Sequence, residues 1–211
     1  MDEVQKQLRP LLRARGYRSK ARTFNRTTSD GLTHVITFQM ARFDPPGTNY
    51  IPWFREKLYG RFTVNVGVHV PEVHAVWFSW SNAGPAALVP AHECCIQSRL
   101  GDLGPERTDI WWNLGMIDEA AADVGSRLER DGLPFLARFE TRDMLLYDLS
   151  QNRDVLTNRS KTASAIVLAA RGQLTEARQL LGEQSRQSRD PKDLTYLNDL
   201  ALLLGLDKIE T

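Results

Sequence analysis

The stretch Arg61–Val70, RFTVNVGVHV, decides the fold. Phe62, Val64, Val66, Val68 and Val70 alternate without a break with Arg61, Thr63, Asn65, Gly67 and His69. Alternation of apolar and polar residues is the period of a strand with one face buried. A slip of one residue would turn the whole apolar set toward water, so the register is firmly set. Phe62, Val64, Val66 and Val68 are expected to face a layer of helices.

The residues before this strand extend the sheet. Leu32–Phe43 puts His34, Ile36, Phe38 and Met40 on one face and Thr33, Val35, Thr37 and Gln39 on the other, which predicts a central strand. Ser29-Asp30-Gly31 reads as a hairpin turn, and Tyr17–Thr28 as a polar, basic strand. At the N-terminus, Val4, Leu8, Leu11 and Leu12 form one stripe of an amphipathic helix over Asp2–Ala14, with Asp2 as cap and Gly16 as stop. Pro10 inside it predicts a kink or a late start.

On the other side, Asp44–Gly60 reads as a loop. Pro71–Pro90, with Trp77, Phe78 and Trp80, reads as a long ordered loop or an irregular strand. His92–Leu100 and Ile110–Leu114 predict short strands separated by the turn Gly101–Pro105. From Ile117 onward the period becomes helical. One helix should end at a capping Gly132, a second should start near Pro134 and run through Leu149, and three more should cover Asp154–Ala170, Thr175–Ser185 and Pro191–Leu204. Strands followed by helices predict an α+β fold: a leading helix, an antiparallel sheet of about five strands, then helices ending in a helical hairpin. The expected division is an α+β domain over residues 1–150 and a helical appendage over 151–211 packed on it.

The composition bounds the function. The 211 residues are 42% hydrophobic and 25% charged, enough to bury a core without staples. The net charge of +1 gives no global attraction to nucleic acid or to an acidic membrane. Residues 1–60 nevertheless carry 11 Lys and Arg against 5 Asp and Glu, while the rest carry 16 against 21, so one end is basic and the other acidic. The N-terminus has acids where a secretory leader would have a basic start and an apolar block, and no apolar run approaches the ~20 residues of a spanning helix. A cytoplasmic protein without membrane contact is expected. Cys94 and Cys95 are adjacent and cannot frame a set of bridges.

GYRSKARTFNR at Gly16–Arg26, FTVNVGV at Phe62–Val68, CCIQSRLGDLG at Cys94–Gly104 and the Trp111-Trp112 pair together resemble the bacterial domain-of-unknown-function family numbered 4304. The resemblance covers residues 5 to 140 or so, and it implies an antiparallel sheet flanked by helices and no particular reaction. In the tail, Ala165–Leu181, AIVLAARGQLTEARQLL, is similar to the centre of a tetratricopeptide repeat, with Ala169, Gly172 and Ala177 at the close-packed positions, and Ala201 and Gly205 could begin a further half-turn. A single repeat cannot stand alone, so a helical hairpin docked on the main domain is the expected form.

The candidate chemistry is sparse. His69, His74, His92, Glu93, Cys94 and Cys95 lack metal-ligand spacing, so no metal and no cofactor are expected. There is no G-x-S-x-G and no Gly-rich phosphate loop. Arg18, Lys20, Arg22 and Arg26 share one parity with Phe24 between them, which would place four cations and an aromatic on one strand face. Such a face suits phosphates and stacked bases, or serves only as a charged sheet edge. Trp77 and Trp80 are candidate interface anchors. The reading is a non-enzymatic protein-binding module of adaptor or immunity-like type, its partner another protein, contacted through Trp77, Trp80, Arg18, Lys20, Arg22 and Arg26. The alternatives are nucleic-acid binding on Arg18–Arg26, or a small-molecule or hydrolytic site on Asn65, His69, Glu93 and Arg99. No catalytic residue is assigned.

Overall fold

The strand read first is an interior strand of the sheet, paired along both of its edges. The computed structural model describes residues 1–41, 58–78, 88–151 and 160–209. Within them, β1 (Arg18–Lys20), β2 (Thr23–Thr27), β3 (Thr33–Met40), β4 (Arg61–His69) and β5 (Ile96–Arg99) lie side by side in that order, and β6 (Trp112–Asn113) also pairs with β4. Every pairing is antiparallel. Because β3 fills one side of β4, β5 and β6 lie end to end along the other, against Asn65–Val68 and Arg61–Phe62.

The register aligns side chains in rows. Phe24, Ile36, Val66 and Ser98 share one inner row, with Phe38 beside Val64 and Met40 beside Phe62 and Trp112. Val64, Val66 and Val68 are fully buried there, as the alternation predicts. An aromatic chain crosses the inner face, with centroid spacings of 5.9 Å from Phe24 to Phe38, 6.0 Å from Phe38 to Phe62 and 5.7 Å from Phe62 to Trp112. Neighbouring rings at such spacings are worth about 0.5–1.5 kcal/mol beyond their buried area.

Helices cover this face. α1 (Asp2–Ala14) runs through Pro10 and packs Leu8 against Gly125 of α3 (Ile117–Arg127). A π-helical turn over Leu128–Gly132 leads from α3 into α4 (Leu133–Ala137). Gly132 is helical at φ −70° and leads into α4 instead of ending a helix; a Cβ there would stand 2.9 Å from Leu100 Cδ1, so close packing explains the residue. The helix expected from Pro134 to Leu149 is two, because Thr141 caps a fresh start by accepting from Met144 N, opening α5 (Arg142–Ser150). The first part of the expected loop Pro71–Pro90 is a short helix (Pro71–Trp77) that follows β4. It has Pro71 in its first turn, Val73 buried and Val76 and Trp77 packed on the core. The predicted strand His92–Leu100 opens instead with a 3-10 turn, Ala91–Glu93.

The tail consists of Ser160–Ala170, Leu174–Gln187 and Pro191–Leu203, here called α6, α7 and α8, and the Pro71–Trp77 helix is α2. α6 packs on α2, α5 and α7, and α8 packs on α7. Gly172 (φ +76°) turns the chain between α6 and α7: its N–H donates to Ala169 O while Gln173 N donates to Leu168 O, so the last carbonyls of α6 are satisfied. The apolar cluster under the sheet continues into the tail through Ile166, Val167, Leu181 and Leu197. Arg142 fastens α5 to two distant places. Its Nε and Nη2 donate to the carboxylate of Glu72 at 2.6 and 2.9 Å, and its backbone N donates to Asp30 Oδ2 at 2.6 Å. No helix among the described residues is long and apolar enough to cross a membrane. Trp80, most of the predicted Asp44–Gly60 loop and the expected start at Asp154 lie outside the described residues.

Candidate functional site

Tyr17–Thr28 is a hairpin rather than the single strand its parity suggested. Lys20 pairs with Thr23 across the turn Ala21-Arg22, in which Ala21 takes a φ of +49°. Such tight turns use left-handed backbone to match the strand twist. The reversal resets the alternation. Arg18 pairs with Asn25 and Ser19 with Phe24, so Arg18 and Lys20 stand on the outer face, away from the helices, while Phe24 and Arg26 point under the sheet. The expected face of four cations around Phe24 is therefore divided, and Phe24 is buried.

Arg26 ends in a polar knot beneath the sheet. It forms an ion pair with Glu140, lies over the Tyr17 ring, and places Nη2 2.8 Å from His34 Nδ1. A guanidinium only donates, so Nδ1 accepts and the Nε2–H of His34 donates to Phe139 O at 2.9 Å. Burial lowers the pKa of His34, outweighing the hydrogen bond to Phe139, and the Arg26 charge lowers it further. Burial also pushes the Tyr17 phenol up to about 12. This set joins β2, β3 and the segment after α4; its ion-paired members Arg26 and Glu140 lie 114 positions apart, so the sequence carried no local signal for it.

The outer face is polar and crossed by a strap. Residues 88–94 lie over β2 and β3: Asn25 Nδ2 donates to Val89 O at 3.0 Å, Ala91 N donates to Thr37 Oγ1 at 3.2 Å, and Val35, Ala91 and Cys94 form a small apolar cluster. Gly67 admits this approach, since a Cβ there would stand 2.8 Å from Ile96 O and 2.9 Å from Cys94 Cβ. A cleft of about 350 Å³ lies on one side of the strap, among Arg18, Lys20, Asn25, Thr27, Thr33 and Val89. A second, of about 480 Å³, includes Arg22, Gln39, Asn65 and His92. Arg18, Lys20 and Arg22 have no carboxylate partner among the described residues. Several arginines of the helix layer are bridged, for example Arg127 to Asp123 and Arg138 to Asp148. Asn25 is 6% exposed, and with Nδ2 spent on Val89 its Oδ1 is buried without a partner.

The four candidate pocket residues divide into two groups on this face. Asn65 and Arg99 are cross-strand partners. Asn65 donates to Gln39 Oε1 at 2.8 Å, and Arg99 pairs with Asp109 and lies over the Trp111 ring. His69 is four residues along β4, about 13 Å away at the rise of a strand. There the His74 ring lies tilted against it, with centroids 4.9 Å apart, and reaches Glu93 at 3.3 Å. Burial and then the His74 charge lower the pKa of His69, against Glu93 and Glu72. Cys94 and Cys95 are both buried, one in the strap cluster and the other in the main core. Burial raises the Cys94 thiol well above its usual range and the Cys95 thiol to about 12, so neither supplies a ready thiolate. Trp77 is half-buried against the core rather than presented as an anchor.

A family model described as "Domain of unknown function (DUF4304)" matches residues 8–138. No curated protein and no solved structure matches the chain. The matched span starts in α1 and ends just beyond α4, so it takes in the whole sheet, the strap and the β1–β2 hairpin, and leaves α5 to α8 outside.

Proposed function

The chain belongs to the DUF4304 family of domains of unknown function, and from that premise we propose that it is a non-enzymatic protein-binding module whose contact surface is the outer sheet face around the β1–β2 hairpin. The observation that carries this reading is the pairing of Ser19 with Phe24. It leaves Arg18 and Lys20 outward and turns the aromatic under the sheet. A surface for single-stranded nucleic acid combines cations with rings on which bases stack. Here the cations stand among threonine and asparagine, which suit hydrogen bonding to a polypeptide. The catalytic alternative lacks convergence, because Asn65, His69, Glu93 and Arg99 stand in two separate groups, with Asn65, Glu93 and Arg99 engaged by their own neighbours.

The test is affinity capture of the tagged full chain from its native cells, with and without nuclease, beside the variant Arg18→Gln/Lys20→Gln/Arg22→Gln. Retained protein that survives nuclease and is lost from the triple variant is the expected result. Retained material that is nucleic acid, or submicromolar binding of single-stranded DNA or RNA that falls steeply with salt, would overturn the reading.

A further inference from the structure

The cleft beside the strap defines what kind of partner segment fits, and an account of it rests on the protein-binding reading above. We infer that it receives an acidic, extended polypeptide segment, whose carboxylates meet Arg18 and Lys20 and whose peptide N–H meets Asn25 Oδ1.

Three observations converge. The first is charge. Among the described residues the cleft is lined by two cations and no carboxylate, and neither cation is neutralised by any of them. Elsewhere, arginines such as Arg26, Arg127, Arg138 and Arg142 are held in ion pairs. Complementarity selects an anionic partner and steers its approach. The second is the orphan acceptor. Asn25 is almost wholly buried, its amide nitrogen is committed to Val89 O, and its carbonyl oxygen has no donor. A buried acceptor without a donor carries a free-energy penalty that a ligand N–H relieves. Chloride or sulfate brings no such donor, whereas a peptide offers an N–H within a residue of each acidic side chain. The third is shape and lining. The volume of about 350 Å³ falls at the lower end of ligand pockets, roughly 300–1,000 Å³. Thr27 and Thr33 are cross-strand neighbours in that lining, and among the described residues none that lines it is aromatic. The cleft therefore suits a narrow, hydrogen-bonding chain better than a stacked base.

Fluorescence anisotropy on the full chain tests this with three labelled probes: a short peptide alternating Glu and Thr, its Lys and Thr counterpart, and single-stranded oligothymidine. Inorganic phosphate serves as competitor. At low ionic strength the Glu/Thr peptide should bind in preference to both other probes. Arg18→Gln with Lys20→Gln should weaken it about tenfold or more. Asn25→Ala should weaken it several-fold with an unchanged salt slope, and replacing the exposed tail residues Arg186 and Arg189 by Gln should leave it unaltered. The exposed Arg18 and Lys20 keep the test decisive if Asn25→Ala fails to fold. No preference for the acidic peptide, or indifference to Arg18→Gln/Lys20→Gln, sinks the inference. So does phosphate competing as well as unlabelled peptide while a folded Asn25→Ala binds normally, which would mark a plain anion site. If any of these occurs while protein capture still depends on the hairpin cations, the broader reading survives and only the acidic segment is lost. Preferred binding of oligothymidine, weakened by the same pair of substitutions, removes both.

Discussion

The two faces of the sheet are made by the same strands and are held by different means. The inner face is a continuous apolar surface: Phe24, Phe38, Phe62 and Trp112 run across it, and the helices seal it. The outer face is held by single polar bonds, one small apolar cluster and one close approach. Asn25 and Thr37 tie down the strap, and Gly67 lets it sit against β4. Apolar burial is additive and tolerant of detail, while a strap held at a few points depends on each of them. The first arrangement suits a scaffold, and the second leaves cations beside open space and a buried carbonyl without a donor.

Stability measurements on matched substitutions can break this comparison. Phe38→Ala on the inner face should cost about 3–5 kcal/mol in denaturant unfolding, because it opens a cavity in the ring chain. Its outward neighbour Thr37→Ala should cost about 1–2 kcal/mol, the loss of the hydrogen bonds its hydroxyl makes with Ala91 N and Thr23 Oγ1. Equal losses would show that the outer face is as integral to the core as the inner one. Gly67→Ala comes next. The new Cβ meets the Ile96 carbonyl, which cannot swing aside as a side chain could, so a loss of about 1–3 kcal/mol is expected together with weaker protection of the strap amides in hydrogen exchange. A neutral effect would mean that the strap is not seated on β4 in solution.

The smallest expected effect is pH dependence, and it sharpens the contrast because each face holds a histidine. The folded pKa of both His34 and His69 lies below the ordinary 6.5. The unfolded chain therefore takes up protons first as pH falls, so stability is complete above about pH 6.5 and declines below it. For fully buried His34 the slope is at most about 1.4 kcal/mol per pH unit. Melting curves from pH 7 to pH 5, roughly the range over which histidine titrates, should show His34→Gln removing more of the decline than His69→Gln. The reverse order would make the outer face the stronger source of acid sensitivity.

Legibility in the sequence followed the same division. The inner face could be read because alternation over Arg61–Val70 is a local signal that burial enforces at every second residue. The hairpin could not, because Ala21-Arg22 contains none of the Gly, Asn or Pro residues that announce a tight turn. Pairing of the flanking strands imposes φ +49° on an alanine, and with that reversal the parity argument for Arg18–Arg26 lapsed. α2 was hidden by its length: Val73, Val76 and Trp77 have helical spacing, but the helix has only seven residues. Of the cleft, Arg18 and Lys20 were marked by their charge. Asn25 was not, since its unpaired carbonyl exists only because Val89, 64 positions away, takes its nitrogen.

Arg142 has a consequence for how the chain can be divided. The family match stops four residues before it, yet its guanidinium holds Glu72 of α2, and its amide holds Asp30 in the β2–β3 turn. A fragment trimmed to the matched span would strand the Glu72 carboxylate, largely enclosed, without its cation, and would bare the side of α2 on which α6 rests. The unit that recurs among relatives and the unit that can be transplanted intact are thus different lengths of polypeptide. A graft of the sheet into another scaffold has to bring α5 and α6 along, or supply a new guanidinium and a new apolar cover in their place.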